Sequence, residues 1–494
     1  MEQVLLGIDI GTSACKVAVF ARNGKVLAQS NQPYQVYYPH EGWAEQDPEE
    51  WWNAICDGIR DCLSQGISAE QIAGIGIDGQ SWSCIPVDRD GNCLDRTPIW
   101  MDTRARDICD EVKAKLGFER IFSVAGNDFL PSYTTPKMLW FQKTKPEIYE
   151  KTAQFLQSNS YIGMKLTGVM SMDVSQGYGV HFFEMKSCSF DESLAADLGL
   201  SVDKVPKLYA SHEIIGTVTL QAAKRTGLRE GTPVVAGGLD AACGTLGAGV
   251  YQVGQTQEQG GQAGGMSIVV DTALAHPKLI LSPHVVPGTY LLQGGTVGGG
   301  GTLKWFKQEF GAGDSFDDLT QQAATVEAGS DGVIFLPYMA GERSPIWDPD
   351  AKGVYYGLSF DKTRAHMIRA TLEGVAYALE DNLRVAATTG AKVDELIAMG
   401  GASNSVLWTQ IKADVTGKTI RVPSSDTATT LGAVILAGVG IGMYRSFEEA
   451  IKETVVITRT QEPDPKAHRR YRAMMEKYLQ LQQALLPVFD SKGI

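Results

Sequence analysis

The chain has 494 residues and a formal net charge of −13, with 44% hydrophobic and 20% charged residues. This acidic balance argues against nucleic acid and anionic membranes as partners, because both require a basic surface. Eight cysteines without a Cys-x-x-Cys pair, and only seven histidines, argue against a structural zinc site. The sequence contains no run of 18 apolar residues and no signal-like start, which predicts a cytoplasmic protein with reduced thiols.

The first half of the chain predicts strands followed by helices. Strands or hairpins are expected, in order, at residues 5–10, 16–20, 26–29, 72–78 and 84–94. Asp47 followed by Pro48 predicts the start of a helix that runs to Leu63. Near the middle, "TPVVAGGLDAACGTLGAGV" predicts a strand, a glycine turn and a helix.

After residue 250 the same alternation begins again. Strands, glycine turns or helices are expected over residues 266–271, 288–311, 366–390, 395–417, 426–442 and 466–486. Two halves of similar size predict an α/β protein with two lobes, residues 1–249 and 250–494. Binding sites are common in the cleft between such lobes.

The segment "LLGIDIGTSACKVAVF" places a carboxylate, a glycine and two hydroxyls at the tip of a predicted hairpin. Gly11 lets the backbone approach a bulky anion, and Thr12 and Ser13 offer donors to phosphate. Asp9 is placed to hold Mg²⁺ through water, because this ion keeps much of its hydration shell, and Lys16 adds positive charge. A plain hairpin with a turn glycine is an equally good interpretation of this segment alone.

A second carboxylate, Asp240, follows a predicted strand and two glycines and opens a helix of small residues. The N-terminus of a helix has free N–H groups and a positive dipole end, which suit a phosphate or an ionised base. Aspartate is also a common N-cap residue, and this structural role is the alternative.

Two further glycine stretches predict close approach of the backbone to a ligand. One is the run 298–301, which includes Gly299 and Gly300; the other is Gly400-Gly401 in "AMGGASNSVLW". Each offers a surface on which a phosphate or a flat ring can rest. Neither contains the pattern of a Walker P-loop, and no G-x-G-x-x-G opens an early βαβ unit, which argues against both of those nucleotide sites.

The segments "GIDGQSWSC" and "WMDTR" combine polar residues with tryptophans at predicted strand ends. Sugar hydroxyls need polar partners, and the C–H face of a sugar packs on an aromatic ring. The alternative is a pair of core tryptophans, Trp82 and Trp100, beside a surface loop.

Taken together and in this order, these segments resemble the FGGY family of carbohydrate kinases. The hairpin is followed by "EGWAEQDPEEWW", then "GQ" with "WMDTR", "GGLDAACG" and "GGASNSVLW". Residues 336–358 and 353–373 resemble the most specific segments of the family, whereas "SYTTPKMLWFQK" matches its first signature in part. The resemblance covers roughly residues 4–445, and through "WAEQDPEEWW" and "GERSP" it is closest to members that phosphorylate xylulose.

This resemblance implies a fold similar to actin and hexokinase, with a duplicated ribonuclease H-like lobe. The two lobes would close on ATP, Mg²⁺ and a sugar or polyol, and the γ-phosphate of ATP would pass to a hydroxyl. The expected acceptor is a ketopentose such as xylulose; ribulose, erythritol and glycerol are alternatives, as is a non-catalytic nucleotide-binding protein of the same fold. A homodimer is compatible with this interpretation.

The resemblance also assigns roles to residues of this chain. Asp240 is implied to be the catalytic base. The residues expected to bind the nucleotide, including those of the glycine run, are Asp9, Gly11, Thr12, Ser13, Lys16, Gly299, Gly300, Gly400, Gly401, Ala402 and Asn404. Those expected to contact the sugar are Gln80, Ser81, Trp82, Trp100, Asp102, Arg104 and Asp240.

The chain departs from the family pattern in two places. In "GGQAGGMS", Gln262 and Ala263 stand where many members have hydroxyl residues that contact ATP phosphate, so backbone N–H groups are the expected substitute. After "GQ", Ser81-Trp82 replaces the Met-His of many xylulose-phosphorylating members, and Asp78 is unusual in its strand. These departures leave the identity of the sugar open.

Overall fold

The computed structural model describes residues 2–311, 313–424 and 427–489. Its strands are β1 Val4–Ile10, β2 Ala14–Ala21, β3 Val26–Pro33, β4 Glu45–Gln46, β5 Ile72–Gly79, β6 Ile85–Val87, β7 Thr97–Pro98, β8 Gln154–Leu156, β9 Met172–Asp173, β10 Phe183–Glu184, β11 Ser189–Phe190, β12 Leu208–Tyr209, β13 Ile214–Thr217, β14 Pro233–Val235, β15 Gly238–Leu239, β16 Gln255–Gly260, β17 Gly264–Val270, β18 Ile280–Pro283, β19 Tyr290–Thr296, β20 Ile334–Leu336, β21 Val354–Tyr356, β22 Glu395–Met399, β23 Thr419–Pro423 and β24 Ile457–Gln461.

The helices are α1 Pro48–Ser64, α2 Arg106–Leu116, α3 Phe118–Ala125, α4 Thr134–Thr144, α5 Pro146–Lys151, α6 Ser158–Thr167, α7 Glu192–Asp197, α8 Leu220–Thr226, α9 Asp240–Gly247, α10 Gly300–Phe310, α11 Phe316–Ala324, α12 Arg364–Ala387, α13 Val406–Thr416, α14 Ala428–Gly440, α15 Phe447–Thr454 and α16 Pro465–Phe489. None of these helices is long and apolar enough to cross a membrane.

The first lobe is built on a sheet in the order β13-β14-β5-β1-β2-β3, with β15 added beside β5. β1, β5, β14 and β15 run parallel, and β2, β3 and β13 pair antiparallel with their neighbours. Ile75 and Ile77 of β5 enter the core, while Gly74 and Gly76 let a helix pack close to the opposite face. The carboxyl ends of β1, β5 and β15 therefore meet at one edge.

The second lobe repeats this topology. Its sheet has the order β18-β19-β17-β16-β22-β23-β24, in which β16, β22 and β23 run parallel. β16 and β17 form the hairpin that corresponds to β1 and β2, and β22 corresponds to β5. The repeat agrees with the duplicated two-lobed arrangement implied by the resemblance. The lobe boundary at residues 249 and 250 stays a prediction.

Two local predictions have different outcomes. Asp47 caps α1 by accepting a hydrogen bond from the Glu49 N–H, as its sequence predicts. The hairpin expected over residues 84–94 forms only in part, because its second arm contributes a single bridge, between Val87 and Cys93. β6 pairs instead with β8, about 70 residues away in the chain, and a local pattern cannot predict such a partner.

The small-residue helix expected over residues 426–442 forms as α14, and Asp426 lies outside the described residues. Although it belongs to the second half of the chain, α14 packs on β1, β5 and α9 of the first lobe. The contact with α9 is backbone to backbone: a Cβ placed on Gly247 would lie 1.8 Å from the Ala428 carbonyl oxygen. Glycine is therefore required there by close approach of the two helices.

The prediction from this packing is that Gly247→Ala destabilises the fold, while Gly244→Ala on the same helix does not. A Cβ on Gly244 meets its nearest atom at 3.4 Å, an ordinary contact. Overpacking of this kind costs about 1–3 kcal/mol, whereas Ala is otherwise the better helix former. Urea unfolding of the three proteins measures the difference. Equal unfolding midpoints for both variants would contradict the close contact.

Candidate active site

The hairpin between β1 and β2 forms as predicted, with residues 11–13 at its tip. The Trp100 indole donates a hydrogen bond to the Thr12 hydroxyl at 3.0 Å, and that hydroxyl donates to the Gln80 side chain at 3.4 Å. Ser13 is exposed, and Lys16 is half-buried on β2 directly opposite Asp9. These contacts join the predicted phosphate segment to the predicted sugar segments.

Three aspartates lie together at the carboxyl ends of β1, β5 and β15. Asp9 pairs in register with Asp78, so both side chains point to the same side of the sheet. Gly238 of β15 also pairs with Asp78, and Asp240 follows two residues later as the first residue of α9. Asp240 does not cap this helix; its carboxylate accepts a hydrogen bond from the next N–H at 2.6 Å.

Burial and mutual repulsion raise the pKa values of these carboxyls. Burial raises the pKa of Asp9 above its usual value, although contact with the Asp78 carboxyl and the charge of Lys16 partly offset this. Burial, with the Asp9 charge as a second cause, raises the pKa of Asp240 to about 7. Complete burial and the charges of Asp9 and Asp240 raise the pKa of Asp78 well above its usual value. A carboxylate with a pKa near 7 is suited to accept a proton at neutral pH.

A buried hydrogen-bond network fixes the strand that leads to Asp240. The Leu239 N–H donates to the Ser175 hydroxyl at 2.9 Å, and that hydroxyl donates to Asp173. Asn159 donates from its amide to Asp173 at 2.8 Å and to the Ala236 carbonyl at 3.1 Å. Because its members are partnered in this way, the network sets the direction of the chain immediately before Asp240.

An aromatic cavity of about 440 Å³ lies between the lobes. It is lined by Trp82, Trp100, Met101, Leu130, Ser132, Tyr133, Ile280, Arg343 and Trp347. Trp82 stacks on Tyr133 with ring centroids 4.2 Å apart. Trp82 and Trp347 both have positive φ angles, 59° and 55°, a costly conformation for bulky residues that often marks a functional site.

The cavity is connected to Asp240 through Tyr178. The ring of Tyr178 lies 5.7 Å from that of Trp82, and its hydroxyl is close enough to Asp240 and Arg343 to feel both charges. The Arg343 guanidinium is exposed and has no hydrogen-bond or ion-pair partner among the described residues. An acceptor in this cavity would therefore meet aromatic faces, one free cation and the Asp240 carboxylate.

Lys137 of α4 holds the wall of this cavity in place. It is fully buried, and its ammonium donates to three backbone carbonyls: Trp82 at 2.8 Å, Ile99 at 2.8 Å and Ser132 at 2.5 Å. Each carbonyl lies within one residue of an aromatic side chain that lines the cavity. Burial lowers the pKa of Lys137 to about 7, while the three carbonyls favour its charged form.

Asp102 and Arg104, both expected to contact sugar, are engaged by the protein itself. Asp102 is fully buried and accepts hydrogen bonds from the Ala44 N–H and from Arg104. The Arg104 guanidinium also pairs with Glu45 at 2.8 Å and lies 3.8 Å from the Trp43 ring centroid. Their contact with sugar stays a prediction; in this structure they brace the loop that carries Trp100.

The glycine segments of the second lobe converge at the carboxyl ends of β16, β19 and β22. The Gly300 and Gly301 N–H groups donate to the carbonyls of Gly261 and Gln262 at 2.7 and 2.9 Å. Gly400 has a φ of 83°, and a Cβ there would lie 2.8 Å from the Gly260 carbonyl oxygen. Backbone thus lies directly on backbone, as the clustered glycines predict.

The outer surface of these segments remains open. A Cβ placed on Gly401 would have no atom within 4 Å, and Asn404 is exposed, whereas Ala402 is buried. Gly299 instead packs against the Ala263 backbone and opens α10 together with Gly300. Among the predicted nucleotide residues of the second lobe, Gly400, Gly401 and Asn404 are therefore exposed at these strand ends. Gln262 contributes its backbone carbonyl to this packing rather than a hydroxyl.

The residues present fit a magnesium ion bound together with a nucleotide. Across the described ranges, no three His, Cys, Asp or Glu side chains form a closed metal cage. Mg²⁺ does not require one, because it binds through one or two carboxylates, substrate phosphates and water. Asp9 beside the Thr12–Ser13 tip provides one such carboxylate.

Sequence reasoning missed several residues of this site. Tyr178, Tyr133, Arg343 and Trp347 reach the cavity from distant segments, and no local pattern signals that they meet. Lys137 had a signal, because it is the one charge within the apolar stretch "TTPKMLWF". The structure brings together Asp9, Thr12, Gln80, Trp82, Trp100 and Asp240 as expected, although none of their roles is thereby tested.

Comparison with known proteins identifies the family. Residues 4–247 match the N-terminal domain, and residues 266–441 the C-terminal domain, of the FGGY family of carbohydrate kinases. A xylulose kinase of Staphylococcus epidermidis is 31% identical over 98% of this chain and 97% of its own. A gluconokinase of Bacillus subtilis is 29% identical over 98% of this chain and 96% of its own. The chain belongs to the FGGY family, as a xylulokinase-like carbohydrate kinase that uses ATP.

Solved structures agree with this assignment. A xylulose kinase from Rhodospirillum rubrum superimposes with a TM-score of 0.93 at 28% identity, covering 99% of this chain and 100% of its own. A gluconate kinase from Lactobacillus acidophilus gives 0.91 at 27% identity, covering 99% of both chains. The two-lobed actin/hexokinase-like fold is confirmed, and the partners are ATP and a small sugar.

The prediction from the Lys137 contacts is that Lys137→Met destabilises the protein by about 4 kcal/mol, because three buried carbonyls lose a charged donor. The KM for the acceptor should rise more than the KM for ATP, since the lost contacts hold the cavity wall. Lys143→Met on the same helix is the control, because Lys143 forms only an exposed ion pair with Glu111. Thermal unfolding and steady-state kinetics measure both effects. A Lys137 variant as stable as the control would contradict this role.

Proposed function

We propose that this kinase transfers the γ-phosphoryl group of ATP to a hydroxyl of a ketopentose such as xylulose, with Asp240 as the general base. The observation that carries the proposal is the position of Asp240 beside the aromatic cavity, with its pKa raised to about 7 by burial and by Asp9. Relatives named xylulose kinase support the acceptor class.

Phosphoryl transfer requires mainly positioning and charge stabilisation, because its transition state is loose. In the proposed site, Asp240 orients the attacking hydroxyl and accepts its proton. The aromatic rings of Trp82 and Trp100 hold the carbon skeleton, and Gln80 and Ser81 serve its hydroxyls. Bound Mg²⁺ would neutralise phosphate charge and would be held from the first lobe by Asp9.

The second lobe would bind the nucleotide. Its glycine segments expose backbone around Gly401 and Asn404, which allows a phosphate or ring to approach closely. Thr12, Ser13 and Lys16 of the first lobe would contribute two hydroxyls and a cation to the phosphates. Closure of the lobes would exclude water, which otherwise competes with the sugar as acceptor.

A sugar acid such as gluconate is the second candidate acceptor. The specific observation in its favour is the unpartnered Arg343 guanidinium at the cavity, which is suited to a carboxylate. Relatives named gluconokinase agree with this acceptor. A neutral ketopentose uses the same cavity through aromatic packing and does not need the cation.

The test is an ADP-release screen over xylulose, ribulose, erythritol, glycerol and gluconate, with wild type and Asp240→Asn. We expect xylulose to give the highest kcat/KM in the wild type. Asp240→Asn should lower kcat by about 10²–10⁴-fold for any acceptor and leave nucleotide binding intact. Because the base must be ionised, wild-type kcat/KM should fall as the pH drops below about 7, and the variant should lack this dependence.

Near-wild-type turnover by Asp240→Asn would reject Asp240 as the base. A preference for gluconate would reject a ketopentose as the acceptor but would still agree with the proposed kinase activity. ADP release that no acceptor stimulates would favour a non-catalytic nucleotide-binding protein.

A further inference from the structure

Asp78 is a buried carboxyl group that the proposed mechanism does not use. Its side chain has no exposed surface, and the polar group that it contacts among the described residues is the Asp9 carboxyl. It lies in register with Asp9 on β1 and beside the strand that leads to Asp240. The side chains that face it in the cleft are therefore two further carboxylates.

A buried carboxylate that contacts another carboxyl and no cation is costly, and two like charges beside it increase the cost. The cation of the first lobe that acts on this group is Lys16, which sits opposite Asp9 on β2. Lys16 forms no ion pair within 4 Å of either aspartate in the described structure. The protein therefore leaves this pair of carboxylates without a direct counter-ion.

The second lobe provides an internal comparison. Glu258 lies on β16, the strand that corresponds to β1, and two residues before a glycine, as Asp9 does. It is also buried, but the buried ammonium of Lys412 lies 2.6 Å from its carboxylate. At this position of the second lobe, the buried carboxylate of Glu258 is therefore paired with a lysine of the protein itself. The first lobe has none at this distance, so its counter-ion is expected to come from solution.

We propose that Asp78 joins Asp9 in holding the divalent cation that accompanies the nucleotide, so that this chain uses two carboxylates at its metal site. The proposal rests on the proposed role of Asp9 in binding Mg²⁺. Two carboxylates, with water and phosphate oxygens completing the shell, match the coordination that Mg²⁺ prefers. The Asp78 side chain is buried beside Asp9 on the neighbouring strand.

The experiment measures metal binding without turnover, on the full-length protein. Mn²⁺ is the probe, titrated by calorimetry and by thermal unfolding in the absence of nucleotide and sugar. In the wild type, Mn²⁺ should raise the unfolding temperature, because the ion binds only the folded protein. Asp78→Asn should weaken Mn²⁺ binding by at least about tenfold.

Asp173→Asn is the matched control. Asp173 is equally buried in the same lobe, but its oxygens accept from Ser175 and Asn159. This variant should lose stability in EDTA and keep the wild-type affinity for Mn²⁺. Asp78→Ala serves as a second variant, and its Mn²⁺ affinity should fall in the same way as that of Asp78→Asn.

Wild-type Mn²⁺ affinity in both Asp78 variants would overturn the proposal, as would a wild type whose unfolding does not respond to Mn²⁺. Asp240→Asn separates this result from the proposed function. This variant should lose phosphoryl transfer while binding Mn²⁺ normally. Failure of the Asp78 proposal would show in Mn²⁺ binding, whereas failure of the proposed function would show in the turnover of Asp240→Asn.

Discussion

The constraint on which this structure depends is the meeting of three parallel strands at one edge of the first sheet. β1, β5 and β15 end side by side, and each brings an aspartate to the same place. Like charges at such a distance in a buried setting are unfavourable unless a cation or a proton compensates them. The raised pKa values show that protons can compensate these charges, and a bound cation would do the same.

The duplicated topology produces two corresponding sheet edges that carry different residues. Corresponding hairpins open both sheets, but the first ends in Asp9, Gly11 and two hydroxyls, and the second ends in packed glycines. The buried Glu258–Lys412 pair neutralises the second lobe internally. An uncharged glycine surface suits the nucleotide, and the acidic edge suits the metal and the reacting hydroxyl. α14 belongs to the second half of the chain but packs on the first sheet.

Much of this arrangement can be predicted from local sequence. The β1–β2 hairpin, the capped α1 and the glycine turns before α9 and α13 depend on neighbouring residues, and the structure confirms them. Register between distant parallel strands cannot be predicted in this way, so the pairing of Asp78 with Asp9 emerges only from the structure. The same holds for β6 with β8, and for the convergence of Lys137, Tyr178 and Arg343 on the cavity. For Asp102 and Arg104, the sequence motif suggests contact with sugar. The structure shows instead that these two side chains bind each other.

We propose, as the central claim, that the acidic edge and the glycine surface form one kinase cleft that transfers phosphate to a sugar. The most direct measurement is to supply ATP labelled in its γ-phosphate, with and without xylulose, and to determine which product carries the label. We predict that the label appears in a sugar phosphate, in amounts equal to the ADP formed, and only when the acceptor is present. Label recovered solely as inorganic phosphate, at a rate that sugars do not change, would contradict the claim.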